Sequence, residues 1–385
     1  MSTSNSSPNS IDRDPLGEVK SSASSDLNDC DNRTESQDIK RQIKTWAEEL
    51  GFPLMGVTHR TSPQHFEAFQ RWLQRGYAGT MHYLAARQDA YQHVDAILPG
   101  CRSVLVFAIP YSKESSSHPH GRGRVARYAS CSNDYHDVLR KKLKTLTQRI
   151  RQHHPHVHSR GIVDTAPLLE RDFANLAGLG WIGKNTLLLT RSLGSYVFLA
   201  TLLTTLELEP DSPFETHHCG SCRACLDACP TQAFPEPFQL DATKCISYLT
   251  IEHRGNIDDD HRQSWKDWLF GCDICQEVCP WNRKPNPSVI QEFQPQPEFQ
   301  SLDLLETLQL TEEQFKDRFR KHPLARTQYK GLVRNAMISA WNQKLDSAKP
   351  ILLTWSQSND VELASLATEL LSQWDLPSKA ISTDG

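Results

Sequence analysis

The chain is 385 residues long, 38% hydrophobic and 23% charged, with a formal net charge of -4. This composition is typical of a globular protein of two or three domains, and the small negative charge does not by itself indicate a nucleic-acid binder. No stretch reaches the roughly 20 apolar residues of a membrane helix. The N-terminus also lacks an apolar export signal, so we expect a cytoplasmic protein without a membrane partner.

The N-terminal stretch differs in composition from the region that follows it. Residues 1–37 are rich in Ser, Asn and Asp and hold few large apolar side chains, so they cannot bury enough surface to offset the entropy of ordering. We predict a disordered extension there. The apolar pattern then predicts amphipathic helices over 38–51 and 64–75 and a buried strand over 103–109. Because helices and strands intermix, we predict an α/β domain over 38–210.

The C-terminal part reads as all-helical. Two sets of apolar residues recur at helical spacing, which predicts stacked helical hairpins of the HEAT type over 291–377, with room for about two units. A short tail, 378–385, follows. The first set is Leu332, Val333, Ala336, Met337, Ala340 and Trp341, and the second is Val361, Leu363, Leu366, Leu370, Leu371 and Trp374.

Positive charge is concentrated in two stretches. Residues 121–160 contain ten Arg or Lys and two Asp, and residues 316–344 contain eight Arg or Lys and one Asp. Such stretches are often the solvated faces of helices. They are equally consistent with a surface that binds phosphates, because Lys and Arg favour the approach of a polyanion. The sequence leaves both interpretations open.

Eight of the eleven cysteines form one array. A run that begins at Cys219 reads C-x-x-C-x-x-C-x-x-x-C-P, which is the spacing of bacterial two-cluster ferredoxins. A second run from Cys272 reads C-x-x-C-x-x-x-C-P and lacks one cysteine, and Cys245 between the runs supplies the missing thiolate. We therefore predict a ferredoxin-like domain with two [4Fe–4S] clusters over 211–290.

Structural zinc is the alternative for such a site, because C-x-x-C pairs also bind zinc. Zinc sites do not usually need a three-cysteine run followed by Cys-Pro, nor a second truncated copy of it. In the ferredoxin pattern, three thiolates on a tight loop bind one cluster and the cysteine before proline binds the other. The first cluster then takes Cys219, Cys222, Cys225 and Cys279, and the second takes Cys229, Cys245, Cys272 and Cys275.

Around this array, over roughly residues 40–375, the chain resembles the epoxyqueuosine reductases, which are cobalamin-dependent enzymes of queuosine synthesis in tRNA. Each matching motif is weak alone, but their order and the cysteine array together are specific. The motifs are GTMHYL at 79–84, PGCRSV at 99–104, RYA at 127–129, DYH at 134–136, VDTAPLLER at 163–171, GLGWIGKN at 178–185 and CISYLTIE at 245–252.

The resemblance implies a base-off cobalamin in the α/β domain, a ferredoxin-like domain that caps it and a HEAT-like tail. It implies removal of the epoxide oxygen of epoxyqueuosine in tRNA, at the anticodon wobble position. It also implies tRNA and a reductant such as ferredoxin or flavodoxin as partners, and a monomer. The implied cobalamin contacts are Arg87, Asp164, Arg171, Lys184, Asn185 and Ser247. The implied tRNA contacts are Glu252 and His253, for which exposure to solvent alone is the alternative.

Asp164 is the residue that the resemblance makes catalytic. The reaction consumes two electrons and two protons, and the leaving oxygen needs a proton donor. We expect desolvation to raise the pKa of the Asp164 carboxyl so that it can donate. Read without the resemblance, Asp164 is a helix cap, Arg171 a surface ion-pair partner, and Lys184 and Asn185 simple turn residues.

Two other functions remain open from the sequence. A corrinoid reductive dehalogenase shares the plan of cobalamin plus two clusters, but such enzymes usually carry a twin-arginine export signal, which is not found here. A non-catalytic electron-transfer module would need only the array, and the large α/β domain would then have no role.

Overall fold

The computed structural model describes residues 23–112, 118–283 and 290–375, with side chains from residue 34 onward. Within these ranges no helix is long and apolar enough to cross a membrane. The strands are β1 (Leu54–Thr58), β2 (Ser103–Pro110), β3 (Arg122–Val125), β4 (Ser159–Ile162), β5 (Trp181–Ile182), β6 (Leu188–Leu189), β7 (Val197–Thr204), β8 (Trp268–Phe270) and β9 (Ser301–Asp303).

The helices fall into three groups: long ones beside the first sheet, short ones in the cysteine region and a helical tail. They are α1 (Ala23–Glu49), α2 (Phe66–Gln74), α3 (His82–Ala86), α4 (Tyr135–His153), α5 (Glu170–Leu176), α6 (Ala224–Asp227), α7 (Ile246–Ile251), α8 (Asp259–Ser264), α9 (Ile274–Glu277), α10 (Pro297–Gln300), α11 (Leu304–Gln309), α12 (Glu312–Phe319), α13 (Gln328–Asn342), α14 (Lys349–Ser356) and α15 (Val361–Ser372).

The first sheet is antiparallel, with the strand order β1-β2-β7-β4. Every residue of β2 is buried, because helices cover both faces of the sheet. Leu105 and Phe107 pack in the core with α1 and α4, and Val104 and Val106 pack in the core with α5. The strand predicted over 103–109 is confirmed, and the region is a mixed α/β structure.

The first helix begins earlier than the sequence suggested. α1 starts at Ala23, inside the stretch that composition predicted to be disordered, while residues 1–22 lie outside the described residues. Ile43 and Ala47 anchor its C-terminal half in the core, and Lys40 pairs with Asp211 at 2.7 Å. Adding turns to an existing helix costs much less than starting one, so the anchored half explains the extension.

A second sheet joins three distant parts of the chain. β3 pairs in parallel with β8 and antiparallel with β9. One core accordingly contains Val125 of β3, Leu249 and Trp268 of the cysteine region, and Met337 of the tail. β3 comes from the part predicted as the first domain, yet it packs with the other two. The domain limits at 210 and 290 stay a prediction.

α13 presents buried polar side chains to the cysteine region. The Arg334 guanidinium donates to the backbone carbonyls of Leu249 at 2.7 Å, His253 at 3.0 Å and Gly255 at 3.1 Å. The last turn of a helix has carbonyls without intrahelical partners. Arg334 therefore satisfies the end of α7 and the loop after it, and it remains charged although burial lowers its pKa to about 10.

Asn335 makes the neighbouring contacts. Its side-chain amide donates to the carbonyls of Thr250 at 2.8 Å and Leu269 at 3.0 Å, and its oxygen accepts from Arg334 at 3.2 Å and 3.0 Å. Asn335 is fully buried. One side chain therefore ties α13 to both α7 and β8.

The helices of the tail stack as the sequence indicated. α14 packs against α15, and α15 packs against α13. Leu363, Leu366 and Leu370 are buried on the shared face. Val361 was expected on the same stripe, but it is the first residue of α15 and its side chain is 81% exposed.

We predict that Asn335→Ala destabilises the fold by about 1–3 kcal/mol. The change leaves the buried Leu269 carbonyl and part of the Arg334 guanidinium without a partner, while the Thr250 carbonyl still accepts from the Thr327 hydroxyl. Thermal and denaturant unfolding measure this. Lys330→Ala is the matched control on the same helix, since the Lys330–Asp360 pair is exposed on the lysine side and should change the melting temperature little. Equal melting of both variants would contradict the role given to Asn335.

Candidate active site and cluster-binding region

Asp164 lies just after β4, in a short loop that leads to α5. Its backbone has a φ of 50°, a left-handed conformation that Asp tolerates better than most residues. The Tyr135 hydroxyl donates to Asp164 Oδ2 at 3.0 Å, and the Asp164 N–H donates to Glu170 Oε1 at 3.3 Å. The side chain is 52% exposed. The loop therefore presents an accessible carboxylate above the ends of α4 and α5.

Two positive groups approach the same oxygen. His136 Nε2 lies 3.6 Å and Arg326 Nη1 lies 3.8 Å from Asp164 Oδ2. His136 Nδ1 also pairs with Asp134 Oδ1 at 2.7 Å. Burial would lower the pKa of His136, but the two carboxylates outweigh it and raise the pKa to about 9. His136 is therefore a cation at neutral pH.

The expected rise in the pKa of Asp164 is wrong. Burial does favour the neutral acid, but the pairing with His136, the charge of Arg326 and the hydrogen bond from Tyr135 outweigh burial and lower the pKa. Asp164 is therefore a carboxylate at neutral pH. Desolvation could be expected from the sequence, but the contacts of Asp164 with His136 and Arg326 could not.

Glu170, the first residue of α5, has the opposite behaviour. Burial, followed by repulsion from Asp164, raises the pKa of Glu170 to about 8. Two neighbouring carboxyl groups thus differ strongly in acidity, which is the usual arrangement of an acid–base pair. At neutral pH the proton resides mainly on Glu170.

The tail completes this site. Arg326, in the 3₁₀ helix Pro323–Thr327, places Nε 2.6 Å from Glu252 Oε1 at the end of α7. Tyr83 of α3 stands beside them, with 46% of its surface exposed. Burial and then the charge of Glu252 raise the pKa of the Tyr83 hydroxyl. Sequence reasoning placed Arg326 only in a basic stretch; nothing local to it indicated this contact.

The residues expected at a cofactor separate into two places. Arg87 is exposed at the end of α3, and its charge reaches Tyr91, as does that of Asp164. Arg171 Nη1 donates to the carbonyl of Thr186, and its charge interacts with Asp164. Arg87 and Arg171 therefore lie around Asp164. Ser247, Lys184 and Asn185 instead lie beside the cysteines.

Lys184 and Asn185 occupy the turn between β5 and β6. Lys184 Nζ donates to the carbonyls of Gly220 at 2.7 Å and Cys222 at 2.9 Å. The Asn185 side chain donates to the carbonyl of Cys275 at 3.5 Å. One turn thus contacts a loop from each half of the cysteine array.

The eight cysteines gather in two adjoining groups. Burial, then the thiols of Cys279, Cys219 and Cys222, raise the pKa of Cys225 to about 11. Among the described residues no three His, Cys, Asp or Glu side chains converge closely enough to share one metal ion; the four thiolates of a cubane bind separate irons. The second group is Cys229, Cys245, Cys272 and Cys275, whose thiols interact with one another and, through Cys275, with Cys225.

Aromatic side chains shield the first group. Cys279 and Cys219 pack with Trp181 of β5 and with Trp281, and the two indole rings meet edge to face at 4.7 Å. Apolar cover of this kind lowers the local polarity around a cluster, which is one of the factors that set its potential.

α7 fixes the position of Cys245 in the second cysteine group. Cys245 caps α7, and burial raises the pKa of its thiol while the amides of Tyr248 and Ser247 oppose the rise. The Tyr248 hydroxyl accepts from the Thr80 amide at 2.7 Å. Gly79 has a φ of 56°, and a Cβ there would lie 2.3 Å from the Tyr248 oxygen. Glycine is therefore required where the α3 loop meets α7.

This fold and site define an iron–sulfur oxidoreductase. Residues 92–165 match the family model described as "Epoxyqueuosine reductase QueG, DUF1730" and residues 218–282 match "4Fe-4S double cluster binding domain". The chain is 40% identical over 309 residues to the epoxyqueuosine reductase of Pseudomonas aeruginosa, covering 79% of this chain and 85% of that protein. The Escherichia coli enzyme is 38% identical over 282 residues, covering 72% and 74%. The chain belongs to the epoxyqueuosine reductase family.

Solved structures agree. An epoxyqueuosine reductase with a tRNA-Tyr epoxyqueuosine-modified stem loop superposes with a TM-score of 0.82 at 31% identity, covering 88% of this chain and 90% of that chain. The Bacillus subtilis enzyme, with a catalytic aspartate loop swung out of its active site, gives 0.81 at 30% identity and the same coverages.

We predict about eight iron atoms per anaerobically purified chain. Cys219→Ala and Cys245→Ala should each lose about half of the iron, because they belong to different cysteine groups, and their electron paramagnetic resonance spectra should differ. Cys101→Ala, which removes a thiol outside the array, should keep full iron. Retention of full iron by Cys245→Ala would exclude it as a ligand.

Proposed function

We propose that the protein reduces epoxyqueuosine to queuosine in tRNA. The observation that carries this is the carboxylate of Asp164, flanked by His136 and Arg326 and connected through α5 and the β5–β6 turn to the cysteine groups. The overall reaction adds two electrons and two protons to the epoxide, breaks both of its C–O bonds, and leaves an alkene and water. A site for this chemistry must bring protons and electrons to one place, and the elements around Asp164 do both.

The residues around Asp164 fit a corrin. The carboxylate is half exposed, and cations and aromatic side chains surround it, so a bound group can reach it. Arg87 and Arg171 nearby would hold cobalamin by donating to its amide carbonyls. When bound, cobalamin supplies low-valent cobalt as the reductant. Lys184, Asn185 and Ser247 contribute indirectly, because they hold the cysteine loops in place.

The proton inventory supports Asp164 as the group that delivers protons. At neutral pH, His136 and Glu170 hold protons and Asp164 does not. Asp164 therefore has to receive the proton that it passes to the leaving oxygen, and His136 Nε2, 3.6 Å from Oδ2, is a protonated group next to it. Transfer requires these two atoms to approach to hydrogen-bonding distance. Displacement of water by a bound substrate would raise the pKa of Asp164 and favour this transfer. Tyr135 keeps the carboxylate oriented.

Electrons reach the site through the cysteine region. We assign one [4Fe–4S] cluster to each cysteine group, and a small reductant such as ferredoxin or flavodoxin supplies single electrons. The α/β part over 38–210, the ferredoxin-like part over 211–290 and the HEAT-like tail over 291–377 then hold the cofactor, the clusters and the tRNA. Glu252 and His253 lie where the last two parts meet.

The tRNA surface is smaller than the two basic stretches. Nine of their 18 cations form ion pairs. Arg318, for example, lies 2.7 Å from Glu306, and Lys316 lies 2.7 Å from Glu312. Among the ion pairs of the described residues none includes Arg320 or Lys321. The Lys321 carbonyl accepts from the Asp134 amide at 3.0 Å, so these two cations lie at the edge of the Asp164 site. A solved relative that carries a tRNA stem loop supports tRNA as the substrate.

The direct test of the function is mass spectrometry of tRNA nucleosides. Cells that lack this protein should accumulate epoxyqueuosine, and the wild-type gene should restore queuosine. Normal queuosine in the deletion strain, together with an inactive purified protein, would refute the proposal.

We predict that Asp164→Asn lowers turnover at least about a hundredfold, the usual scale for a lost acid–base group. The helix-cap alternative for Asp164 is wrong, because the N-cap residue of α5 is Leu169. Asn keeps the size of Asp and can still accept from Tyr135, so the variant should fold and keep its iron and cobalamin. Single-turnover assays with chemically reduced cobalamin would place the defect after electron delivery. Near-normal turnover would show that another group donates the proton.

We predict that the double change Arg320→Glu and Lys321→Glu weakens tRNA binding and flattens its salt dependence, because fewer counterions are released. Fluorescence anisotropy with an anticodon stem loop measures both. Arg41→Glu, an exposed change outside both basic stretches, is the control. If wild type, the double variant and Arg41→Glu bind the stem loop equally, Arg320 and Lys321 are not part of the tRNA surface.

A further inference from the structure

Arg326 is the contribution of the tail to the Asp164 site. Its Nε lies 2.6 Å from Glu252 Oε1, and its Nη1 lies 3.8 Å from Asp164 Oδ2. Its own carbonyl accepts from Arg254 at 2.8 Å, which fixes the backbone. One guanidinium thus spans two carboxylates that come from different parts of the chain, one after β4 and one at the end of α7.

We propose that Arg326 is a positioning residue that holds the Asp164 carboxylate in place and sets its charge, so that the helical tail controls proton delivery. The inference rests on the proposed function and deepens it. Arginine suits this task because its planar fork contacts two acceptors at fixed angles, whereas lysine acts as a single point charge. The hydrogen bond to Glu252 holds the fork, and the free end of the fork faces Asp164.

Charge and distance support the proposal. An opposite charge within about 4–6 Å lowers the pKa of a carboxyl group by about one to three units. Arg326 is within this distance, on the side of Asp164 that the tail covers. His136 approaches the same oxygen from α4. Without Arg326, the negative charge of Asp164 would therefore be compensated by one cation instead of two.

The other groups that face Asp164 are known, and they come from every element packed around it. They are Tyr128 before α4, Tyr135 and His136 from α4, Glu170 and Arg171 from α5, Tyr83 from α3, Tyr91 after it, Glu252 from the end of α7 and Arg326 from the tail.

The experiment compares Arg326→Gln, Arg326→Lys and the control Arg318→Gln in the cluster-loaded, cobalamin-loaded enzyme. Arg318 also forms an ion pair in the tail, but with Glu306. One readout is the single-turnover rate against pH. The other is the infrared carboxylate band of Asp164 against pH, assigned by its absence in Asp164→Asn, which requires neither substrate nor turnover.

Loss of the positive charge should raise the pKa of Asp164. In Arg326→Gln, the pH at which the Asp164 band titrates and the acid limb of the rate profile should therefore both move up by about one unit or more. Arg326→Lys should titrate near the wild-type pH, because the charge remains. It should still react about tenfold more slowly, because the fork is lost. Arg318→Gln should match wild type in both readouts.

Two results would overturn the proposal. One is an Arg326→Gln protein with normal iron, cobalamin and melting temperature whose Asp164 band titrates as in wild type. The other, decisive even if Arg326→Gln fails to fold, is an Arg326→Lys protein that reacts at the wild-type rate. A failure of the proposed function would give a different result. Wild type itself would then not convert epoxyqueuosine, although the pH at which the Asp164 band titrates would still be higher in Arg326→Gln than in wild type.

Discussion

The buried polar contacts between α13 and the backbone of α7 are the interaction on which the rest of the structure depends. Arg334 and Asn335 satisfy carbonyls at the end of α7, and Ser339 donates to the carbonyl of Trp268 in β8. An apolar α13 would leave the carbonyls of Leu249 and Trp268 without these donors, which costs about 1–3 kcal/mol for each, while the Thr250 carbonyl would keep the Thr327 hydroxyl. The tail is therefore required by the cysteine region rather than attached to it.

The position of α7 determines the positions of the residues at both of its ends. Cys245 precedes the helix and Glu252 follows it, so the cysteine group and the partner of Arg326 are separated by less than two turns of helix. Tyr248, between them, contacts the loop that leads into α3 and Tyr83. A shift of α7 would therefore move a cluster ligand, the charge on the tail side of Asp164 and an aromatic wall of the site together.

The sequence predicted what depends on local order and missed what depends on contacts between distant residues. Cysteine spacing is informative because a cluster needs thiolates at fixed offsets along the chain, and β2 was recognisable because a strand covered on both faces must be apolar throughout. Arg326 is far from Asp164 in the chain, and no periodicity connects them. The direction of the pKa shift of Asp164 was wrongly expected for the same reason, because it depends on two cations from other elements.

In the proposed function, one short helix and one turn connect the proton supply with the electron supply. α5 carries Glu170, which holds a proton beside Asp164, and Arg171, which donates to the carbonyl of Thr186 in the β5–β6 turn. The same turn contacts the cysteine loops through Lys184 and Asn185. Electron transfer falls steeply with distance and proton transfer needs hydrogen-bond contact, so both steps require a fixed geometry. The β5–β6 turn, which α5 contacts on one side and the cysteine loops contact on the other, contributes to it.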